Sequence, residues 1–280
     1  MQKDIKVACI IKLRNDIDII KYTIQYYHNI GVNYFFIMLH LPTTELIELL
    51  NSIDKRINIK LLYHDKEGKG LDPINNDYLN VLTTMAQDEG FKWIIGTDAD
   101  EILILNKHKT IQDFIQQYDK CSIISLIFDW VNYYSQKEVE NKIFYEYMLF
   151  KGDWLGWTKS IGKFDRTMYF VQGLHHIGNA IYGQVKPPLE SIRINNDIAY
   201  YAHFPFRTRE QFKYKNLVLA EKFGGWRKNL TEEYWYNYWD DLINKRKKWP
   251  KVLDKIENLK DDQKIIYAPL NPNLFKLEEF

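Results

Sequence analysis

With 280 residues, 46% hydrophobic and 27% charged, the chain is long enough to bury a substantial core and too apolar for global disorder. Lys and Arg total 38 against 37 for Asp and Glu, a net charge of +1, so composition gives no overall electrostatic case for nucleic-acid binding. No charge-poor run reaches the length of a membrane span. The opening MQKDIKVACIIKLRND meets charge too soon for the apolar region of a secretory signal, and a cytoplasmic protein is expected.

Residues 5–13 (IKVACIIKL) read as a first strand, followed by a helix carrying Ile19, Ile20, Ile24 and Tyr27 and ended by Gly31. Residues 33–39 give a second strand, Pro42 and Thr43 open a short helix with Leu46, Leu49 and Leu50, and residues 57–64 give a third strand. The loop EGKGLD leads into a helix over 75–88, after which 92–96 and 121–128 read as a fourth and a fifth strand. Strand and helix alternating at this spacing predict an α/β fold, a mostly parallel sheet flanked by helices. Ligands of such sheets gather beyond the carboxyl ends of the strands. Cys9 and Cys121 lie in apolar runs without metal-ligand spacing and read as buried thiols.

The pattern changes after residue 129. QVKPPLE is a loop, 208–223 and 232–248 read as helices, and no internal repeat is present. One domain over 1–223 with a helical extension over 224–280 is the economical division. Aromatic residues reach 15%; most such rings pack in cores, but Tyr and Trp also offer flat apolar faces with polar edges that suit a sugar.

The stretch GTDADEILIL, residues 96–105, sets Asp98, Asp100 and Glu101 at the end of the fourth strand. In a continuing strand Asp98 and Asp100 would lie on one face and Glu101 on the other. A turn there instead gathers carboxylates toward one cation, or serves as a surface turn or helix cap. Carboxylate and water oxygens suit Mg²⁺ or Mn²⁺, completed by phosphate. The loop lacks the glycine of an EF-hand, and no glycine-rich dinucleotide fingerprint or P-loop follows the first strand.

KLRND (12–16), WIIGTDADEILIL (93–105), WTKSIGKFDR (157–166), GLHHIG (173–178) and AHFPFRTREQFKYK (202–215) occur in this order. In them the chain resembles a bacterial glycosyltransferase of the family 2 type, related to the family 92 branch, whose members have a GT-A fold with a Rossmann-like nucleotide-binding sheet. The resemblance implies that Asp98 and Asp100 form a D-x-D motif. That motif holds a divalent cation, Mn²⁺ or Mg²⁺, against the diphosphate of a nucleotide sugar, a UDP-sugar above all. It implies donor contacts from Arg14, Asp16, Asp65, Asp72 and Arg207, with Asp16 standing where family members often have Glu. His175, His176 and His203 are the histidines it offers the metal; the alternative for each is a structural histidine. Arg209, Lys213 and Lys215 would balance phosphate charge or line a solvated helix face.

Inverting transfer needs a base for the acceptor hydroxyl. Asp129, at the end of the fifth strand, leads the candidates, with Glu101 and Asp153 competing. Trp130, Trp154 and Trp157 either wall the acceptor pocket or anchor the second half of the chain. The expected acceptor is a saccharide or lipid-linked saccharide in surface polysaccharide or lipopolysaccharide synthesis. KRKKW (245–249) would allow peripheral contact with the inner face of the membrane. Metal-dependent nucleotidyl transfer, phosphoryl hydrolysis and non-catalytic saccharide binding on the same scaffold are the other readings.

Overall fold

The computed structural model describes residues 5–14, 16–64, 73–119, 122–134, 143–171, 174–179, 191–205, 207, 208, 211 and 266–276. Strand and helix alternate through the first third of the chain: β1 (Val7–Leu13), α1 (Ile20–Asn29), β2 (Tyr34–His40), α2 (Thr44–Asn51), β3 (Asn58–His64), α3 (Pro73–Asp88) and β4 (Trp93–Asp98). The boundaries fall where local chemistry places them. Gly31 leaves α1 at φ +101°, a conformation that favours glycine. The Thr43 hydroxyl caps α2 by accepting the Leu46 N–H at 3.3 Å.

Beyond β4 come β5 (Glu101–Leu105), α4 (Ile111–Gln116), β6 (Ser125–Tyr134), α5 (Phe144–Tyr147), β7 (Phe150–Lys163), β8 (Met168–Val171), β9 (His176–Asn179), β10 (Ser191–Arg193), β11 (Ala199–His203) and β12 (Ile266–Tyr267). The main sheet runs β3-β2-β1-β4-β7-β6-β11-β5, with β10 beside β6 and β12 beside β7, while β8 and β9 form a separate ribbon. The pairs β3/β2, β2/β1 and β1/β4 are parallel, as expected. β4 then meets β7 antiparallel, with Trp93 opposite Lys163. The sheet is therefore mixed. The alternation that predicted parallel strands ends at β4, and Lys, Gly and Trp interrupt the apolar pattern of β7.

The chain divides into two compact units: residues 1–130, 156–201 and 273–280, and residues 131–155 and 202–272. In the first, α3 covers one sheet face through Leu79, Leu82 and Ala86. These pack with Ala8, Ile10, Phe36 and Ile94 and with Phe170, Leu174 and Ile177 of the β8–β9 region. Gly96 is what lets that region approach β4: a Cβ there would meet the Phe170 ring at 2.8 Å and Leu174 at 2.9 Å. In the second, Phe204 packs against Tyr133 and Phe144, and β12 pairs antiparallel with Phe150 and Lys151 of β7.

Cys9 is buried, as its apolar strand predicted. Cys121, the QVKPPLE loop and the KRKKW run lie outside the described residues. So do the helices expected over 208–223 and 232–248, apart from Thr208 and Gln211. Of the extension expected over 224–280, residues 266–276 are described. Among the described residues no helix is long and apolar enough to cross a membrane.

Candidate functional site

The strand order places a topological switch point on the carboxyl edge of the sheet. β1 connects toward β2 on one side and has β4 on the other, and crevices at such reversals are where open α/β sheets take their ligands. The two chain segments that leave this point are Arg14–Asp16 after β1 and Asp98–Glu101 after β4. Lys12 and Asp98 are register partners across the β1/β4 pair, and their side chains meet with Nζ 3.6 Å from Oδ1. Arg14 is half-buried just beyond β1. The Asp16 carbonyl accepts the N–H groups of Ile19 and Ile20 and so starts α1.

The acidic turn is held on every side. Thr23 of α1 donates to the Ala99 carbonyl at 2.7 Å. Tyr26 donates to the Leu103 carbonyl at 2.7 Å, and Tyr27 accepts the Leu103 N–H at 3.1 Å. The Glu101 side chain folds back to accept the Asp98 N–H at 2.9 Å. The Thr97 hydroxyl faces the Asp98 and Glu101 carbonyls at 3.1 and 3.0 Å. Asp100 is buried at 6% exposure. The chain thus turns out at Asp98 and returns to the core through β5, where Ile102 and Leu103 are wholly buried.

A cation from another strand completes this turn. Lys159 of β7 has a side chain with 0% exposure, and its Nζ lies 2.9 Å from Asp98 Oδ2 and 2.8 Å from Glu101 Oε2. Burial favours neutral lysine, yet Asp98 and Glu101 raise the Lys159 pKa above its ordinary value and keep the ammonium charged. Burial pushes the Asp98 carboxyl upward, but its side chain keeps 26% exposure, and Lys159 with Lys12 holds it down at about 2. Burial dominates at Glu101, whose pKa rises to about 7, with Asp98 and Asp100 adding to the rise and Lys159 opposing it.

His175, in the turn that precedes β9, packs beside the neighbouring part of β7. Its Nδ1 lies 2.7 Å from the Thr158 carbonyl oxygen. A carbonyl only accepts, so Nδ1 carries the hydrogen and the neutral ring has its lone pair on Nε2. The His175 carbonyl accepts from Ser160 at 3.0 Å. Its ring contacts Trp130 edge-on at 5.9 Å and Trp157 at 5.6 Å, and Trp157 presents 40% of its surface to solvent. The preceding Leu174 adopts φ +75°, a left-handed conformation that costs a leucine roughly 1 kcal/mol or more.

Next to Trp130, Asp129 pairs with Arg193, whose Nη2 and Nε approach Oδ1 at 2.6 and 3.1 Å. Both bonds fall on one oxygen; Oδ2 makes none among the described residues. Residues 157–160 therefore link the site's parts: Trp157 and Thr158 hold His175, Lys159 holds the acidic turn, and Ser160 holds the His175 backbone.

In the second unit, His203 Nδ1 lies 2.7 Å from Asn132 Oδ1. Arg207 is buried, donating from Nη1 to the Phe204 carbonyl at 2.8 Å, and its own carbonyl accepts from Tyr147 at 2.9 Å. Asp65 and Asp72 lie outside the described residues, as do Arg209, Lys213 and Lys215. Asp153 and Trp154 are placed in β7 and His176 at the start of β9 by their backbones alone.

Lys159 and Lys12 are the residues that the sequence reading missed. Alternation along β7 puts Lys159 on the same face as Ile161, a buried position. That face is set by the long-range pairing of β7 with β4, so the signal in the sequence was only the acidic turn's need for a counter-charge.

Among the described residues no group of three or more His, Cys, Asp and Glu side chains is arranged to hold a metal ion. Three carboxylates and two ammonium groups meet at the turn. Fully ionised, they leave one net negative charge on hard oxygen atoms at the turn.

No family model matches the chain, and no curated protein matches it in sequence. Among solved structures it is similar to S. aureus TarS at 11% identity, covering 92% of this chain and 46% of that one, with a TM-score of 0.43. The chain thus spans less than half of that TarS chain. It is also similar to S. aureus TarS 1-349 in complex with UDP-GlcNAc (10% identity, 91% and 77% coverage, TM-score 0.45). A further likeness is to the mannosyltransferase Ktr4p from S. cerevisiae in complex with GDP (13%, 48% and 42%, 0.30).

Proposed function

We propose that the protein is a metal-dependent, inverting glycosyltransferase that moves a sugar from a nucleoside-diphosphate sugar, a UDP-sugar above all, to a hydroxyl of a saccharide acceptor. The observation that carries this is the position of the acidic turn at the β1/β4 switch point, where Lys12 and Asp98 meet across the two strands. The family 2-like order of KLRND, GTDADEILIL, WTKSIGKFDR and GLHHIG along the sequence supports it.

Asp100, with the solvent-facing part of Asp98, would hold a Mg²⁺ or Mn²⁺ ion. That ion, when bound, stabilises the negative charge of the departing diphosphate. Arg14 and Lys12 stand at the same edge and would add positive charge along the diphosphate. Glu101 orients the turn from inside by holding the Asp98 N–H. Trp157, beside His175 and with its face partly in solvent, is the surface for the acceptor sugar ring, with Trp130 behind it.

In the reaction the acceptor oxygen bonds to the anomeric carbon while the bond from that carbon to the diphosphate breaks. The acceptor proton passes to a carboxylate, and Asp129 Oδ2 is the assigned atom, since Arg193 holds Oδ1 and fixes the group. Incubation with sugar nucleotides and Mn²⁺ should release nucleoside diphosphate, slowly with water and faster with a saccharide acceptor. Asp100→Asn should lower that release by about 100-fold or more while leaving the circular dichroism spectrum and melting curve intact. Full release by this variant across a Mn²⁺ titration would sink the metal assignment, and nucleoside monophosphate as product would point to nucleotidyl or phosphoryl chemistry.

A further inference from the structure

We infer that Lys159 is a positioning residue of the acidic turn: it acts as a fixed internal cation that clamps Asp98 to Glu101 and weakens the turn's hold on a divalent ion. The inference deepens the sugar-transferase reading and rests on its assignment of the turn as the cation site. The geometry has three parts. The ammonium is fully enclosed, so it cannot swing away to solvent. It lies within 3 Å of both Asp98 Oδ2 and Glu101 Oε2, and Glu101 at the same time holds the Asp98 N–H. Lys159, Glu101 and Asp98 thus close a ring in which each member fixes the other two.

The consequence for a ligand follows from charge. Asp98 Oδ2 faces Lys159 at 2.9 Å and Oδ1 faces Lys12 at 3.6 Å. A cation drawn to the turn is attracted by Asp100 and by what remains of Asp98's field, and is repelled by an ammonium that cannot retreat. Such a turn takes the ion weakly by itself and firmly only when an anionic ligand such as a diphosphate shares it. The built-in cation thereby ties metal occupancy to donor occupancy. β7 brings the same restraint to His175, because Thr158 and Ser160 on either side of Lys159 hold that residue.

The test is direct Mn²⁺ binding to the full chain, read by the loss of the free-ion paramagnetic resonance signal, together with urea melts. Lys159→Met alone leaves Glu101 buried without its cation and is expected to unfold readily. The double variant Lys159→Met with Glu101→Gln removes both members and is expected to fold. In that double variant Mn²⁺ should bind on the order of tenfold more tightly than in Glu101→Gln alone, from which it differs only in the Lys159 charge, and UDP should enhance Mn²⁺ binding less than it does in Glu101→Gln. Lys159→Met should also destabilise the native background far more than the Glu101→Gln background.

Equal Mn²⁺ affinity in Glu101→Gln and the folded double variant, or binding to neither, would overturn the inference. So would a Lys159→Met penalty that is the same in both backgrounds. The transferase reading stands or falls separately, on release of nucleoside diphosphate by the native protein.

Discussion

Two carboxylate–cation pairs flank the candidate site, and they differ in what surrounds them. Lys159 meets Asp98 and Glu101 with side-chain exposures of 0%, 26% and 2%. Arg193 of β10 meets Asp129 in the middle of β6, with exposures of 52% and 14%. The distances are alike, 2.8–2.9 Å in one case and 2.6 Å in the other. The energetics are not. An exposed pair is screened by water and salt and is worth at most about 1 kcal/mol, whereas breaking a buried pair strands a charge at a cost of several kcal/mol. The buried pair is therefore scaffold. The exposed pair orients Asp129 with little at stake for the fold.

The largest effect should come from Lys159→Met, which is expected to destabilise the fold by about 3–5 kcal/mol in urea melts. A loss below about 1 kcal/mol would place this pair with the exposed one and end the contrast. The next concerns pH, measured in EDTA. Glu101 is raised from 4.5 to about 7 in the fold, so its contribution is fully present below pH 4.5 and is lost as pH rises through 7. Asp98 is depressed from 3.8 to about 2, so its contribution is present above 3.8 and is lost as pH falls through 2. Glu101→Gln should remove the first slope, which approaches ~1 kcal/mol per pH unit, and leave the second.

A neutral restraint on the same turn separates charge from hydrogen bonding. Thr23→Ala leaves the buried Ala99 carbonyl without its 2.7 Å donor and should cost roughly 1–2 kcal/mol, less than the loss of Lys159. Smallest in stability is Arg193→Ala, expected at about 0–1 kcal/mol and vanishing in 1 M salt. Its effect should show instead in a lower rate of nucleoside diphosphate release with a saccharide acceptor, since Asp129 loses the two hydrogen bonds that orient it. An unchanged rate would remove Arg193 as the group that orients the base.

The first four strands were legible because each is an apolar run bounded by helix signals, and because Gly31 and Thr43 mark the boundaries chemically. β7 was not. Its 14 residues, FKGDWLGWTKSIGK, carry three lysines, three glycines and an aspartate, a composition that reads as loop. What makes it a strand is pairing with β4, a long-range contact invisible in a local window. The acidic turn was legible as a cluster, and its need for compensation was too. Which residue compensates was not, because Lys159 lies 58 positions beyond Glu101 and reaches it only through the sheet. Asp129 shows a different failure: IISLIFDW read as a strand ending at this residue, but β6 runs on to Tyr134 and leaves Asp129 in mid-strand, and its partner arrives from β10.

The ion pair between Lys12 and Asp98 also bears on how the sheet finds its alignment. These residues are register partners on adjacent strands, and alternation means that a slip by one position would turn Lys12 to the opposite face. The displaced ammonium would face apolar packing, and wholly buried Ile11 or Leu13 would take its place beside the carboxylates. β1 and β4 are otherwise runs of apolar side chains buried on both faces, where pattern alone discriminates poorly between alignments. The charge at the ligand edge thus acts as a registration mark: only the pairing that builds the cleft also neutralises it, so a misaligned sheet is penalised before any substrate arrives.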